Sequence, residues 1–425
     1  MRFFNWGKKS IAAPAEVKSA SYFFGLGSLM RTQTNYEGLA SEGYGLNPVV
    51  RACVDRIAQS VASVDIYAYK TDKNGKQVKV ENHPLVKLLG NPNPAQSGDC
   101  FIAALVRYYL IAGNAFVYGL GLDYNSREKP SELYLYKPSA VRVVKGERVF
   151  PSSYEYRDNS GTTINYAVSK LTGFSAVKHF KMFNPIDELV GLSPMTSALL
   201  DIDVSNEGSK HNLRLLQNGC RPSGAMVVKG EQGQPKTLSE DQYARLRDQI
   251  DNQFSGSNNA ARPMLLEGGL EWQEMSVNAR DMDFENSMNK AARQIALVYG
   301  VPPQLLGIKG DATYANMAEA KLALWTDTVL PLLHLILEEL TNWLAPLYSD
   351  NVTLWYDEDM IPALEPLRQM KAQRIEASTT MTINEKRRAM GLEDVAGGDE
   401  ILVDSGKIPL ALVGDMGLSE TGAVQ

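Results

Sequence analysis

The 425-residue chain has little cysteine, no excess of positive charge and no long apolar run. Cys53, Cys100 and Cys220 are odd in number and far apart. They supply neither a disulfide framework nor a pair at metal-ligand spacing, and a reducing cytosol suits them best. Lys and Arg total 43 against 49 Asp and Glu, a formal net charge of −6. Tight general binding of nucleic acid, which needs many cations to replace counterions, is therefore disfavoured; a protein past which DNA moves is not. No uninterrupted apolar stretch reaches the ~18 residues of a membrane span. The best, Val329 to Leu337, contains Pro331 and His334 and is flanked by Asp327, Glu338 and Glu339. The first nine residues, MRFFNWGKK, lack the apolar centre of a secretory leader. Secretion and membrane spanning are both disfavoured.

What remains is a globular composition, 44% hydrophobic and 22% charged, which excludes a disordered or collagen-like chain. The length allows two or three domains with real cores. Residues 1–44 read as an irregular arm. Asn47-Pro48 is a cap followed by a first-turn proline, and Val50, Val54, Ile57 and Val61 recur at helical spacing. A strand at 65–70, a turn at Asn74-Gly75, a short helix after His83-Pro84 and a longer one over 100–112 follow. Strands are expected at 115–122, 132–136, 141–144, 154–156, 164–166 and 179–183, those at 154–156 and 164–166 paired around Asp158-Asn159-Ser160-Gly161, which makes 45–185 one mixed α+β domain.

The second half differs. Ser193-Pro194 opens a helix that runs to Asn218, about 39 Å at 1.5 Å per residue. Its middle, 205–212, is polar all round, which suits a bridge or a helix standing beside copies of itself rather than a single-chain core. Residues 220–277 read as a small α+β insert: a strand at 224–229, a charged helix at 239–254 and a hairpin within 264–272. A second long helix ends at Tyr299, stopped by Gly300-Val301-Pro302-Pro303. The two long helices bracket the insert as a stalk holds a tip. After the loop 307–312, Thr313 caps a helix reaching Leu344 that Pro331 should kink. A strand at 352–356 and helices at 362–377 and from Thr382 to about Gly391 complete the chain, and the tail after 408 reads as disordered.

Enzyme signatures are missing. Gly191-Leu192-Ser193-Pro194-Met195 lacks the second glycine of a nucleophile elbow. There is no nucleotide-binding loop of the Gly-x-x-x-x-Gly-Lys-Ser/Thr kind. His83, His179, His211 and His334 are scattered and read as capping or core-edge residues rather than metal ligands. Asp357-Glu358-Asp359 reads as a solvated turn rather than a cation site. Trp325, Trp343, Trp355 and Tyr348 read as core rather than a base-stacking platform. Lys386-Arg387-Arg388 is a short basic cluster of little weight alone.

Several pieces in common order resemble the portal proteins of tailed double-stranded DNA bacteriophages. They are Asn47-Pro48-Val49-Val50-Arg51-Ala52-Cys53-Val54, His83-Pro84-Leu85 with Asn91-Pro92-Asn93-Pro94, Gly113-Asn114-Ala115-Phe116, Gly191-Leu192-Ser193-Pro194, Tyr299-Gly300-Val301-Pro302-Pro303-Gln304, and Thr382-Ile383-Asn384-Glu385 with Gly397-Gly398-Asp399. The resemblance implies an α+β portal fold and a ring, usually of twelve subunits, at one capsid vertex. By position it implies an arm at 1–44, a wing at 45–192 and two stem helices at 193–219 and 278–303. It further implies a clip at 220–277, a tunnel loop at 304–316, a kinked helix with the second part of the wing at 317–361, a small helical crown at 362–407 and a tail at 408–425. It implies DNA contact at Lys309, Asp311, Thr313 and Tyr314. In the clip it implies docking of a terminase motor and later of head-completion adaptors, for which Glu231, Lys236, Arg245, Arg247 and Asn258 are the candidates. Capsid or scaffold protein would meet the wing. No catalytic residue, metal or cofactor is implied, because the motor would supply packaging energy, and the protein would assemble in the host cytoplasm and end in the virion. Two alternatives are a tail or baseplate ring without a packaging role, and a cytosolic hydrolase whose triad is hidden in the sequence.

Overall fold

A computed structural model describes residues 34–71, 77–125, 128–147, 150–217, 224–228, 239–242, 244–245, 248, 270–274, 284–308, 314–348 and 352–399. All lie in the larger of two compact units, Thr32–Gln425. The turn expected at Asn74-Gly75 and the tail after 408 lie outside the described residues.

A short helix α1 (Tyr36–Gly38) continues as a π-helical stretch, Leu39–Gly45. Helix α2 (Pro48–Ala62) begins as expected: the Asn47 Oδ1 accepts from the backbone N–H of Val49 and of Val50, both at 3.1 Å. Its stripe of Val50, Cys53, Val54, Ile57, Ala58 and Val61 is fully buried. Helix α3 (Pro84–Gly90) is capped by His83, whose Nδ1 accepts from the Leu85 N–H at 3.2 Å. Helix α4 (Gly98–Ala112) packs along α2 and ends at Gly113, whose φ of 70° suits only glycine comfortably.

Strand β1 (Ile66–Thr71) pairs antiparallel with β2 (Gln77–Val80) on one side. On its other side it pairs with β11 (Val352–Tyr356), nearly three hundred residues later, in the register Ile66↔Tyr356 to Lys70↔Val352. A second antiparallel sheet has the order β4 (Glu132–Tyr136), β3 (Asn114–Leu120), β8 (Val177–Lys181), and a third the order β5 (Val141–Val144), β6 (Ser153–Arg157), β7 (Thr163–Ala167).

A 3₁₀ turn, Pro194–Ala198, leads into helix α5 (Leu199–Gln217). Strands β9 (Gly224–Val228) and β10 (Leu270–Glu274) pair with each other, Gly224↔Glu274 to Val228↔Leu270. Of the expected hairpin within 264–272, residues 264–269 lie outside the described residues; the rest belongs to β10, whose described partner lies more than forty residues upstream. Helix α6 (Phe284–Val298) returns beside α5 and ends at Gly300 with φ 65°.

Helices α7 (Tyr314–Ala323) and α8 (Leu330–Leu344) are joined by a π-helical stretch, Leu324–Val329. The expected kink at Pro331 takes this form. Proline brings no backbone donor, and the preceding turn widens so that the Leu330 N–H reaches the Trp325 carbonyl, five residues back. The helical run Asn316–Leu347 is by length and composition apolar enough to cross a membrane, which corrects the expectation that no such stretch exists. That expectation counted unbroken apolar letters. In the helix the polar residues fall on one side, and Leu333, Ile336, Leu337, Leu340 and Leu344 pack into the same core as α2 and α4. Two small helices close the described chain: α9 (Glu365–Ala377) and α10 (Ile383–Ala389), the latter with a reciprocal cap between Thr382 and Glu385.

Candidate functional site

Two glycine-bearing motifs distant in sequence meet where the first long helix departs. Asn114, 9% exposed, donates from Nδ2 to the carbonyls of Ala112 and Gly191, both at 2.9 Å. Its Oδ1 accepts from the Gly191 N–H at 2.6 Å and faces His179 Nε2 at 2.9 Å. A Cβ on Gly191 would stand 2.1 Å from the Gly113 carbonyl oxygen, and one on Gly113 would stand 2.5 Å from the Leu192 carbonyl carbon. Only two bare backbones approach so closely. Ser193 then donates from Oγ to the Ile111 carbonyl at 2.7 Å and accepts from the Met195 N–H at 3.2 Å. The start of the α5 segment is thereby fixed to the end of α4.

The helix pair α5–α6 is anchored a second time at its middle. Asn206, 8% exposed, donates to the Glu42 carbonyl at 2.9 Å, and its Oδ1 accepts from Asn47 Nδ2 at 3.2 Å. One asparagine thus caps α2 and holds α5. This corrects the reading of 205–212 as polar all round and unpacked: Ser205, Asn206 and Gly208 are buried, and the burial is polar because the partners are backbone carbonyls and amides. A Cβ at Gly208 would lie 3.6 Å from Met288 Cγ and Sδ, an ordinary contact. The outer side of the pair is different. Leu200 is 67% exposed and Leu297 is 71% exposed, with Val204 and Leu213 also open.

Charge is handled by local pairs. Asp55 accepts from Arg107 Nε at 2.7 Å and from the Tyr44 hydroxyl at 2.8 Å. Burial works against its charge, and those two hydrogen bonds outweigh it, holding the carboxyl below its ordinary range. His179 is stacked on Phe116 with ring centres 4.3 Å apart. Burial first, then Lys181 and Lys178, push its pKa down to about 3, so it stays neutral and donates to Asn114. Asp357 caps the 3₁₀ turn Glu358–Met360, whose carbonyls at Glu358 and Asp359 accept from Arg368, and Trp343 is buried with its Nε1 donating to the Ser175 carbonyl at 3.0 Å. Among the described residues no group of three or more His, Cys, Asp or Glu stands together to hold a metal. At the far end, Asn384 accepts from the Val395 N–H at 2.8 Å and donates to the Val395 carbonyl and Asp399, closing the loop that carries Gly397-Gly398.

Of the candidate contact residues, Tyr314 is the first residue of α7 and Arg245 is helical and exposed. Lys309, Asp311, Thr313, Glu231, Lys236, Arg247 and Asn258 lie outside the described residues. Asn114, Gly191 and Asn206 are positions whose roles sequence reasoning missed, whereas Ser193 caps its segment as expected and adds the bond to Ile111. Asn114 and Gly191 stood inside quoted motifs, which was the available signal; Asn206 carried none.

The sequence matches the model of the phage portal protein family over residues 48–391. An uncharacterised protein of Rickettsia bellii is 40% identical over 387 residues, 91% of this chain and 97% of that protein. The portal protein of Enterobacteria phage HK97 is 26% identical over 375 residues, 85% of this chain and 82% of that protein. Among solved structures, a chain of the neck of a native gene transfer agent particle, computed with C12 symmetry, superposes with a TM-score of 0.64 at 34% identity, covering 86% of this chain and 96% of that one.

Proposed function

Because the chain belongs to the phage portal protein family, we propose that it is the repeating subunit of a ring of about a dozen copies at one vertex of a phage-like particle. Double-stranded DNA passes through the ring on packaging and on ejection. The observation that carries this reading is the helix pair α5–α6: it brackets an insert, is fixed by Asn114 where it departs and by Asn206 at its middle, and leaves Leu200 and Leu297 open. In this reading residues 45–192 and 317–361 are the wing, 193–219 and 278–303 the stem, 220–277 the clip, 304–316 the tunnel loop and 362–407 the crown. The stem helices stand against the stems of neighbouring copies. The clip docks the terminase motor and then the head-completion adaptor, with Glu231, Lys236, Arg245, Arg247 and Asn258 at that contact. The wing meets capsid or scaffold protein. Lys309, Asp311, Thr313 and Tyr314 meet the DNA. The acidic balance of the chain, −6, suits a conduit: a strongly basic bore would hold the phosphate backbone, and a weakly repulsive one lets it slide. The likeness to a neck chain favours this vertex over a tail or baseplate position.

The test is packaging by particles assembled with Lys309→Ala and Tyr314→Ala together. The expected result is normal rings and normal heads with fewer filled by DNA. Unchanged filling would contradict DNA contact at the tunnel loop.

A further inference from the structure

The part of the chain assigned to the wing has a side opening apart from the helix pair α5–α6. A notch of about 210 Å³ lies where α2 ends, β1 begins, α3 ends and α4 begins. Its walls are apolar: Val64, Ile66, Val86, Leu89 and Ile102, of which Val64, Leu89 and Ile102 are buried. Two acidic residues, Asp65 and Asp99, also line it; both are exposed, and Asp99 stands in the first turn of α4. Neither makes a hydrogen bond or ion pair with any described residue. Two glycines shape the opening. Gly98 is pressed against backbone, since a Cβ there would meet the Leu89 carbonyl oxygen at 2.5 Å. Gly90 faces empty space, with nothing within 4 Å of a built Cβ.

An apolar pocket that also carries unpaired carboxylates is complementary to a side chain with a hydrocarbon stem and a cationic head. Such a side chain buries its methylenes against the walls while its head meets the acids. A purely apolar side chain would leave both carboxylates unanswered, and a small metal ion would leave the apolar walls wet. We propose that this notch docks an arginine or lysine presented, between apolar residues, by a partner protein. The contact stands apart from the ring-forming helix pair and does not depend on it.

The test uses the full chain and two fluorescein-labelled peptide pools, each with a central residue flanked by apolar residues, one with arginine at the centre and one with citrulline. Binding is read by fluorescence anisotropy at two salt concentrations. The expected result is that the arginine pool binds, at least tenfold more tightly than the citrulline pool and more weakly at high salt. Gly90→Met, which fills the notch from an unstrained helical position, abolishes that binding. The double change Asp65→Asn with Asp99→Asn, which alters no volume, weakens it at least tenfold and keeps the test open should Gly90→Met disturb folding. Absence of binding, or binding that none of these changes affects, overturns the proposal. So does loss of assembled rings on Gly90→Met without peptide, which would assign the notch to a second copy of this chain.

Discussion

Asn114 and His179 form a small buried system in which both ends of the asparagine amide and the His179 Nε2 have partners. Asn114 satisfies the Gly191 N–H and carbonyl as well as the Ala112 carbonyl, so Asn114→Ala leaves several buried groups bare. The expected cost is about 2–4 kcal/mol, read from urea unfolding. Gly191→Ala is expected to be about as harmful for a different reason, because its Cβ has only 2.1 Å to the Gly113 oxygen. His179 gives a pH dependence with a definite sign. An unfolded histidine takes its proton near pH 6.5, whereas the folded ring resists it down to about 3. The unfolded state therefore binds more protons below 6.5. Stability is fully present above that value and falls as the pH drops toward 3, at about 1.4 kcal/mol per pH unit. Unfolding free energies measured at pH 7.5 and pH 5 are expected to differ by about 2 kcal/mol more in the parent chain than in His179→Gln. Equal differences would show that the ring is not held neutral.

At the level of elements, the stem pair and the terminal helices carry their own expectations. Gly208 sits within α5, and a Cβ there meets Met288 at a comfortable 3.6 Å. Gly208→Ala is expected to stabilise by up to about 1 kcal/mol through helix propensity, while Gly208→Trp should force α5 and α6 apart. Thermal melts of both variants decide this; a destabilised alanine variant would mean that the helices pack more closely than the structure shows. Thr382→Ala removes one arm of the reciprocal cap with Glu385 and is expected to cost about 1 kcal/mol locally, seen as faster amide exchange over α10.

These elements also show what the sequence made legible. Helices α2, α4 and α8 were readable because their apolar residues recur with the helical period and their caps are local in sequence. The pairing of β6 with β7 was readable because a short turn joins them. The partners of Asn206 lie some 160 residues away, and those of β10 more than forty away, so neither leaves a local trace. The same holds at Pro331: sequence announces a missing donor, but whether the helix bends or widens depends on what packs around it. Of the candidate site, the quoted glycine motifs pointed to the right places without saying that they touch.

At the scale of the whole molecule, the account rests on copies of the chain completing one another. Each subunit fixes its stalk at two buried asparagines and leaves apolar residues, Leu200 and Leu297 foremost, facing outward. Leu297→Asp is therefore expected to leave the subunit folded, with an unchanged circular dichroism spectrum, and to lower the proportion assembled. The most direct test of the central claim is mass photometry of the purified chain with negative-stain images of the largest species. The account expects particles of about 560 kDa, a dozen chains of 46.8 kDa each, with a central hole. A chain that stays monomeric at every concentration, with no ring in the images, would contradict it.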